Sequence, residues 1–252
     1  MEQAQGKSSA TCCNCGAGLD GLYCSRCGQK HRGHTLDASE LVGEALDSVV
    51  KVDSRLWRTI IELTKNPGRL ARDYAAGQRI RYVNPLRYCF AAIALSIALT
   101  LSTGEFALLS TSVLPGSAMV APNDPALAQL TAFMAKYLNV MTLLSVPVYA
   151  LILRILFHRS GYGYAANFVF VCFIVGHAAL LSCVATLFNS YVYFLGIVPA
   201  LLITNFVYIY GAMRFYERGF WLAASYVSIA SVLYFALVFA VAWASLDFWM
   251  PT

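Results

Sequence analysis

After Arg87 the chain runs for 165 residues with only nine charged side chains, and this distribution limits the fold more than any motif does. Five stretches within it are long and nearly uncharged: 86–103, 137–157, 165–188, 191–213 and 220–246. About twenty such residues, rising about 1.5 Å each as a helix, cross a hydrocarbon core of about 30 Å. The expectation is an all-α membrane protein with about five transmembrane helices. Charged residues make up 12% of the whole chain, about half of the roughly 25% usual in soluble domains, which argues against an ordinary soluble fold.

The breaks between the stretches are short and polar, HRSGYGY, NS and RFYERG, except for a connection holding Pro115, Gly116, Pro122 and Pro125 that cannot be one helix. Orientation follows from the basic residues. Thirteen of the eighteen Lys and Arg precede Tyr88. With the N-terminus inside, these and Arg154, Arg159, Arg214 and Arg218 are cytoplasmic, Lys136 is outside, and the C-terminus falls outside. Residues 1–10 are polar and carry no secretory signal, so the N-terminal third is expected in the cytoplasm.

In a reducing compartment, closely spaced thiols hold metal rather than disulfides. Cys12-x2-Cys15 is followed eight residues later by Cys24-x2-Cys27, and two such pairs suit tetrahedral Zn2+. Gly16 and Gly28 follow the second cysteine of each pair, where a tight turn aims backbone N–H groups at sulfur. Four thiolates close the coordination shell, so the zinc would be structural and would supply about 10–16 kcal/mol of folding free energy to a ribbon over 1–34. Cys13 reads as a bystander that could compete with Cys12 as a ligand, and His31 and His34 rank behind the four thiols as ligands. Arg26, Lys30 and Arg32, with Tyr23 as the single stacking group, are too thin a footprint for nucleic acid.

Residues 35–85 read as cytoplasmic amphipathic and interfacial helices. Asp37 to Glu40 resembles a capping box, and Leu41, Val42, Ala45, Leu46, Val49 and Val50 recur at helical spacing. Leu56, Trp57, Ile60 and Ile61 continue it as far as Asn66, where Pro67 restarts a short helix that Gly77 ends. Arg69, Arg72, Arg79, Arg81 and Arg87 then precede the first span, placed to meet anionic lipid headgroups at about 1 kcal/mol each. The same charges serve as the orientation signal.

Inside the bundle region, 86–252, His177 falls at the midpoint of its span, where ionisable groups are rare. It reads either as a neutral imidazole bonded to a neighbouring helix or, with Asn167, Asn205 and the kinks at Pro147 and Pro199, as part of an intramembrane polar site. GxSxG, HExxH and phosphate-loop signatures are missing, so the chain does not read as an enzyme. The functional expectation is a non-enzymatic adaptor whose ribbon and amphipathic helix dock a protein partner at the cytoplasmic face. A transporter or lipid-handling protein with a site inside the bundle is the alternative, and oligomerisation is compatible with either.

Cys12-x-Asn14-Cys15-Gly16, Tyr23-Cys24-x2-Cys27-Gly28-Gln29, Asn66-Pro67-Gly68 through Tyr74, Gly77-Gln78-Arg79 and Tyr82-x2-Pro85 together resemble an uncharacterised family of bacterial inner-membrane proteins with an N-terminal zinc ribbon. The resemblance covers about the first ninety residues. It implies a bacterial inner membrane, a structural ribbon on the four paired cysteines and a cytoplasmic N-terminus, and it implies no activity.

Overall fold

A computed structural model describes residues 11–19, 21–30, 54–103, 144–189 and 198–249. Apart from two isolated bridges in the cysteine region, regular structure among these residues is helical. In chain order the helices are α1 (Ser54–Lys65), α2 (Pro67–Ala75), α3 (Pro85–Ser102), α4 (described over Leu144–Leu156), α5 (Tyr164–Asn189), α6 (Val198–Tyr216) and α7 (Phe220–Trp249). The amphipathic helix expected after Asp37 and the proline-containing connection after α3 lie outside the described residues.

Two Asn-Pro pairs set helix starts. Asn66 Oδ1 accepts from the Arg69 N–H at 3.4 Å, and Asn84 Oδ1 accepts from the N–H groups of Leu86 at 3.0 Å and Arg87 at 3.4 Å. In both, proline follows at the first helical position, where it forfeits an N–H that had no helical acceptor anyway. α6 ends differently: the Arg218 N–H returns to the Met213 carbonyl, with Glu217 in the left-handed region at φ 52°. That conformation costs a non-glycine residue about 1 kcal/mol. The Glu217 carboxylate is paired with the Arg72 guanidinium on α2, which holds it there.

α5 is the centre of the molecule. α3 packs along it, α6 packs beside it, and α1 and α2 close its N-terminal half. Val169 to Ile174 are all at most 2% exposed, so this stretch has no outward face. The pairings fix the helix directions. Tyr88 lies beside His177 and Ser96 beside Ser182, so α3 runs parallel to α5. Phe170 stacks on Phe215, 4.5 Å between centroids, and Asn167 bonds Tyr216, so α6 runs opposite. Tyr149 meets Tyr208 and Phe157 meets Tyr216, which makes α4 parallel to α6. Tyr149 with Ser231 and Phe157 with Tyr226 make α7 antiparallel to α4. Directions therefore alternate from α3 to α7.

Tyr88, in the first turn of α3, meets His177, thirteen residues into α5. α5 therefore begins about 15 Å before the level at which α3 starts, at about 1.5 Å per residue. α2 occupies that space. Leu70, Ala71 and Tyr74 are buried there, with the Tyr74 ring edge-on to Phe173 at 5.5 Å. The apolar face of α2 and Leu63 of α1 are thus covered by helices, while Trp57 and Ile61 of α1 stay exposed.

One stretch among the described residues, Tyr164–Leu187 in α5, is long and apolar enough to cross a membrane by length and composition. Among the described residues, the apolar stretches searched in α3, α4 and α7 (Pro85–Thr100, Leu144–Leu156 and Phe220–Tyr234) are shorter. The expectation of five spans is therefore not supported by the described residues. Part of the reason is that 137–143 and 191–197, and most side chains of α7 after Tyr234, fall outside the described residues.

A Cβ built at Gly68 would overlap the backbone of Arg214, Phe215 and Gly211, so α2 touches α6 main chain to main chain. Gly68→Ala should push the two helices apart and lower stability by about 1–3 kcal/mol. Gly163→Ala, which meets open space, serves as the control. Thermal unfolding of the purified variants measures this, and equal midpoints would remove the close contact from the account.

Candidate metal centre

The two CxxC segments fold into matching turns. The Cys12 N–H bonds the Ala17 carbonyl and the Gly16 N–H the Cys12 carbonyl, both at 2.8 Å. Cys24 with Gln29 and Gly28 with Cys24 repeat the pattern at the same length. Gly16 and Gly28 take φ 73° and 72°, as their positions require. Isolated antiparallel bridges, Thr11 with Gly18 and Tyr23 with Lys30, close each turn.

The turns face one another. Cys12 and Cys27 sulfurs are 3.6 Å apart, Cys15 and Cys24 sulfurs 3.5 Å, and all four lie within 4.8 Å of one another. The cluster could hold a metal ion. The Gln29 backbone N–H aimed at sulfur, with help from Asn14, lowers the Cys27 thiol to about 6. At Cys15 the Ala17 N–H also lowers the thiol, but lost hydration and the neighbouring sulfurs outweigh it and leave it at about 11. Four crowded thiols cannot all ionise without a cation among them.

The module is seated on the turn after α2. Gln29 Nε2 donates to the Gly77 carbonyl at 2.6 Å. A Cβ at Gly77, whose φ is 105°, would come within 2.9 Å of Cys13 Cβ, and Ile80 lies 3.9 Å from the corresponding point on Gly28. Cys13 is thus the contact residue of the ribbon and not a spare ligand. Beyond the turn, the Tyr82 hydroxyl donates to Glu62 at 2.9 Å, and the Val83 N–H to Thr59 Oγ1 at 3.2 Å, tying the entry of α3 to α1. Burial first, then the bond to Glu62, pushes the Tyr82 phenol up to about 12. A raised acid stabilises the fold while protonated, so this contribution is whole below pH 10 and is lost as the pH rises through about 12.

The other sequence-selected residues are placed separately. Arg72 is paired with Glu217, and Arg69 Nε lies 3.8 Å from Asp73, while Arg81 is exposed and Arg79 and Arg87 are half-buried. His177, 1% exposed, has Tyr88 Oη 3.0 Å from Nδ1 and Thr64 Oγ1 3.3 Å from Nε2. Thr64 donates its proton to the Ile60 carbonyl, so its oxygen accepts from Nε2–H and Nδ1 accepts from Tyr88. Both nitrogens of a neutral ring are then used.

Asn167 donates to the carbonyls of Tyr162 and Gly163 and accepts from the Tyr216 hydroxyl. It secures the turn before α5, about 15 Å along the helix from His177 by helical rise. Asn205 is on the exposed side of α6. The structure does not bring these three together. The partners Thr64, Tyr88 and Tyr216 were missed in the sequence, where nothing links residues so far apart.

Residues 53–97, covering α1, α2 and most of α3, match the family model described as "Protein of unknown function (DUF3667)". No curated protein and no solved structure matches the chain. The family match and the cluster of four cysteines near the N-terminus both fit an uncharacterised domain.

Cys15→Ser should reduce bound metal from about one ion per chain to near zero, since three sulfurs leave the shell open. Because protons compete for thiolates, metal retention should fall as the pH is lowered. Elemental analysis of purified protein measures both, and unchanged metal content in the variant would remove Cys15 from the site.

Proposed function

We propose that the chain is a non-enzymatic, multi-pass protein of a bacterial inner membrane, with a cytoplasmic N-terminus, whose zinc ribbon docks a protein partner close to the inner leaflet. Support for the membrane begins with the bundle exterior. Phe90, Leu95, Ile155, Val184, Phe206 and Val232, on five helices, are each between 48% and 67% exposed. At about 25 cal/mol per Å2 of apolar surface, water around such a belt is unfavourable and lipid tails are not. The alternating directions of α3 to α7 agree with five crossings and an external C-terminus. α3 and α5 begin on the side where α2 and the cysteine module sit.

Zinc is the favoured ion because the sulfur separations approach the tetrahedron edge of about 3.8 Å that follows from Zn–S bonds of about 2.3 Å. Its role would be structural, with every position filled by sulfur.

The observation that carries the docking role is the way the ribbon is mounted. It is held to the Gly77 turn through Gln29 and Cys13, yet Leu22 and Tyr23 remain 70% and 61% exposed. A module fastened by one part with an aromatic and a leucine left outward resembles the anchor pairs of protein interfaces. The alternative of a transport or lipid-handling site in the bundle gains no specific support, because His177 and Asn167 are satisfied within the fold and Asn205 is elsewhere.

Leu22→Ser with Tyr23→Ser should abolish co-purification of the partner while leaving metal content and expression unchanged. Quantitative mass spectrometry of the protein purified from native membranes reads this out, followed by rebinding of the purified partner. A partner set identical in wild type and variant would overturn the docking role. A reporter fused after Thr252 is expected outside the cell, and a cytoplasmic signal would overturn the five-span reading.

A further inference from the structure

A second binding surface lies where α1, α2 and α6 meet, and it rests on the membrane reading above. The Tyr210 hydroxyl donates to the Lys65 carbonyl at 3.2 Å, which ties the end of α1 to α6. The backbone of Gly68 abuts that of Arg214, so Arg69, one residue on, and Arg214 are carried by touching main chains. Three cations from three helices are thereby gathered at one corner, and Lys65, Arg69 and Arg214 are all exposed. The acids nearby are Asp73, 3.8 Å from Arg69 Nε, and Glu217, which Arg72 engages. The corner keeps a net positive charge.

Below it runs an aromatic rail. The Arg214 guanidinium sits 5.5 Å from the Tyr210 ring centre, and Tyr210 stacks on Phe206 at 5.8 Å and 7°. Phe206, Tyr210 and Arg214 are spaced four apart on one stripe of α6, passing from an exposed apolar ring to a cation. Depth follows from His177, which is met by Thr64, the neighbour of Lys65, and by Tyr88 in the first turn of α3. Lys65 therefore lies at the level where α3, the first proposed span, begins, and Phe206 is about one turn past Tyr210 toward the far end of α3.

We propose that Lys65, Arg69 and Arg214 bind the phosphate-bearing headgroup of an anionic phospholipid of the inner leaflet, with Tyr210 and Phe206 as the support for its acyl chain. This differs from a run of five arginines before the first span. It selects cations by their place around one corner, and it leaves Arg72 to its partner on the Glu217 loop.

The test uses the full chain purified in a neutral detergent, titrated with dioleoylphosphatidylglycerol or dioleoylphosphatidylcholine and read by native mass spectrometry. With three basic residues near a headgroup contributing about 1 kcal/mol each, phosphatidylglycerol should bind about a hundredfold tighter than phosphatidylcholine. Combined Lys65→Gln, Arg69→Gln and Arg214→Gln should erase the preference. Lys65→Arg, Arg69→Lys and Arg214→Lys together should keep it, as should Arg81→Gln. If the neutral triple variant does not elute as a folded species, single Arg214→Gln replaces it, with a preference reduced about fivefold expected.

Equal binding of the two lipids to wild type, an undiminished preference in the neutral variants, or the same occupancy with water-soluble glycerol 3-phosphate would each overturn the site. A chain recovered from the aqueous fraction without detergent would overturn the membrane reading itself. A membrane-bound chain without lipid preference would overturn the site alone.

Discussion

A side chain on Gly68, Gly176 or Gly211 would collide with a neighbouring helix, and each of the three stands where helices cross at α5 or α6. Gly68 lets α2 lie on the α6 backbone, Gly176 admits Cys89 and Tyr88 of α3 against α5, and Gly211 receives Ile174. In the proposed membrane setting, apolar helices would gain little from leaving lipid for one another, because the tails are as apolar as leucine. Association then depends on close approach and on a few bonds between helices. The rest follows from these contacts. Tyr88 can reach His177 because Gly176 has let α3 come near, and Tyr210 can reach Lys65 because Gly68 has let α2 come near.

Polar groups inside the bundle act on geometry and not on chemistry. His177 fastens α1 and α3 to one point on α5, and Asn167 fastens the turn before α5 to the end of α6. Bonds of this kind in membrane bundles contribute about 0.6 kcal/mol each, modest in energy but strict in register. A helix that slid by one turn would leave several of them unmade together.

Much of the ribbon could be read in the chain, because metal coordination makes spacing and glycine placement local requirements. Cys12, Cys15, Cys24 and Cys27 converge as the two pairs suggest. The Asn66-Pro67 helix start was equally legible. The same signal at Asn84-Pro85 was overlooked, although an asparagine before proline at the head of an apolar run carries the same meaning. Hidden were the long-range contacts. Cys13 and Gln29 have no periodic relation to Gly77, and only the folded chain shows that the two Gly-Gln pairs, Gly28-Gln29 and Gly77-Gln78, come together. The amphipathic faces of α1 and α2 were visible, but periodicity alone cannot tell whether lipid or another helix covers them. Here Leu63, Leu70 and Tyr74 are covered by helices.

The seating of the ribbon on Gly77 makes the ion and the bundle parties to one equilibrium. If metal orders the surface that presents Gln29 and Cys13, then occupancy strengthens the grip on the turn that leads through Tyr82 and Val83 into α3. Linkage is reciprocal, so whatever favours the gripped turn must raise affinity for the ion by the same factor. Whatever changes the packing around α3, distant in the chain from the four clustered sulfurs, would thereby change how tightly those cysteines retain an ion.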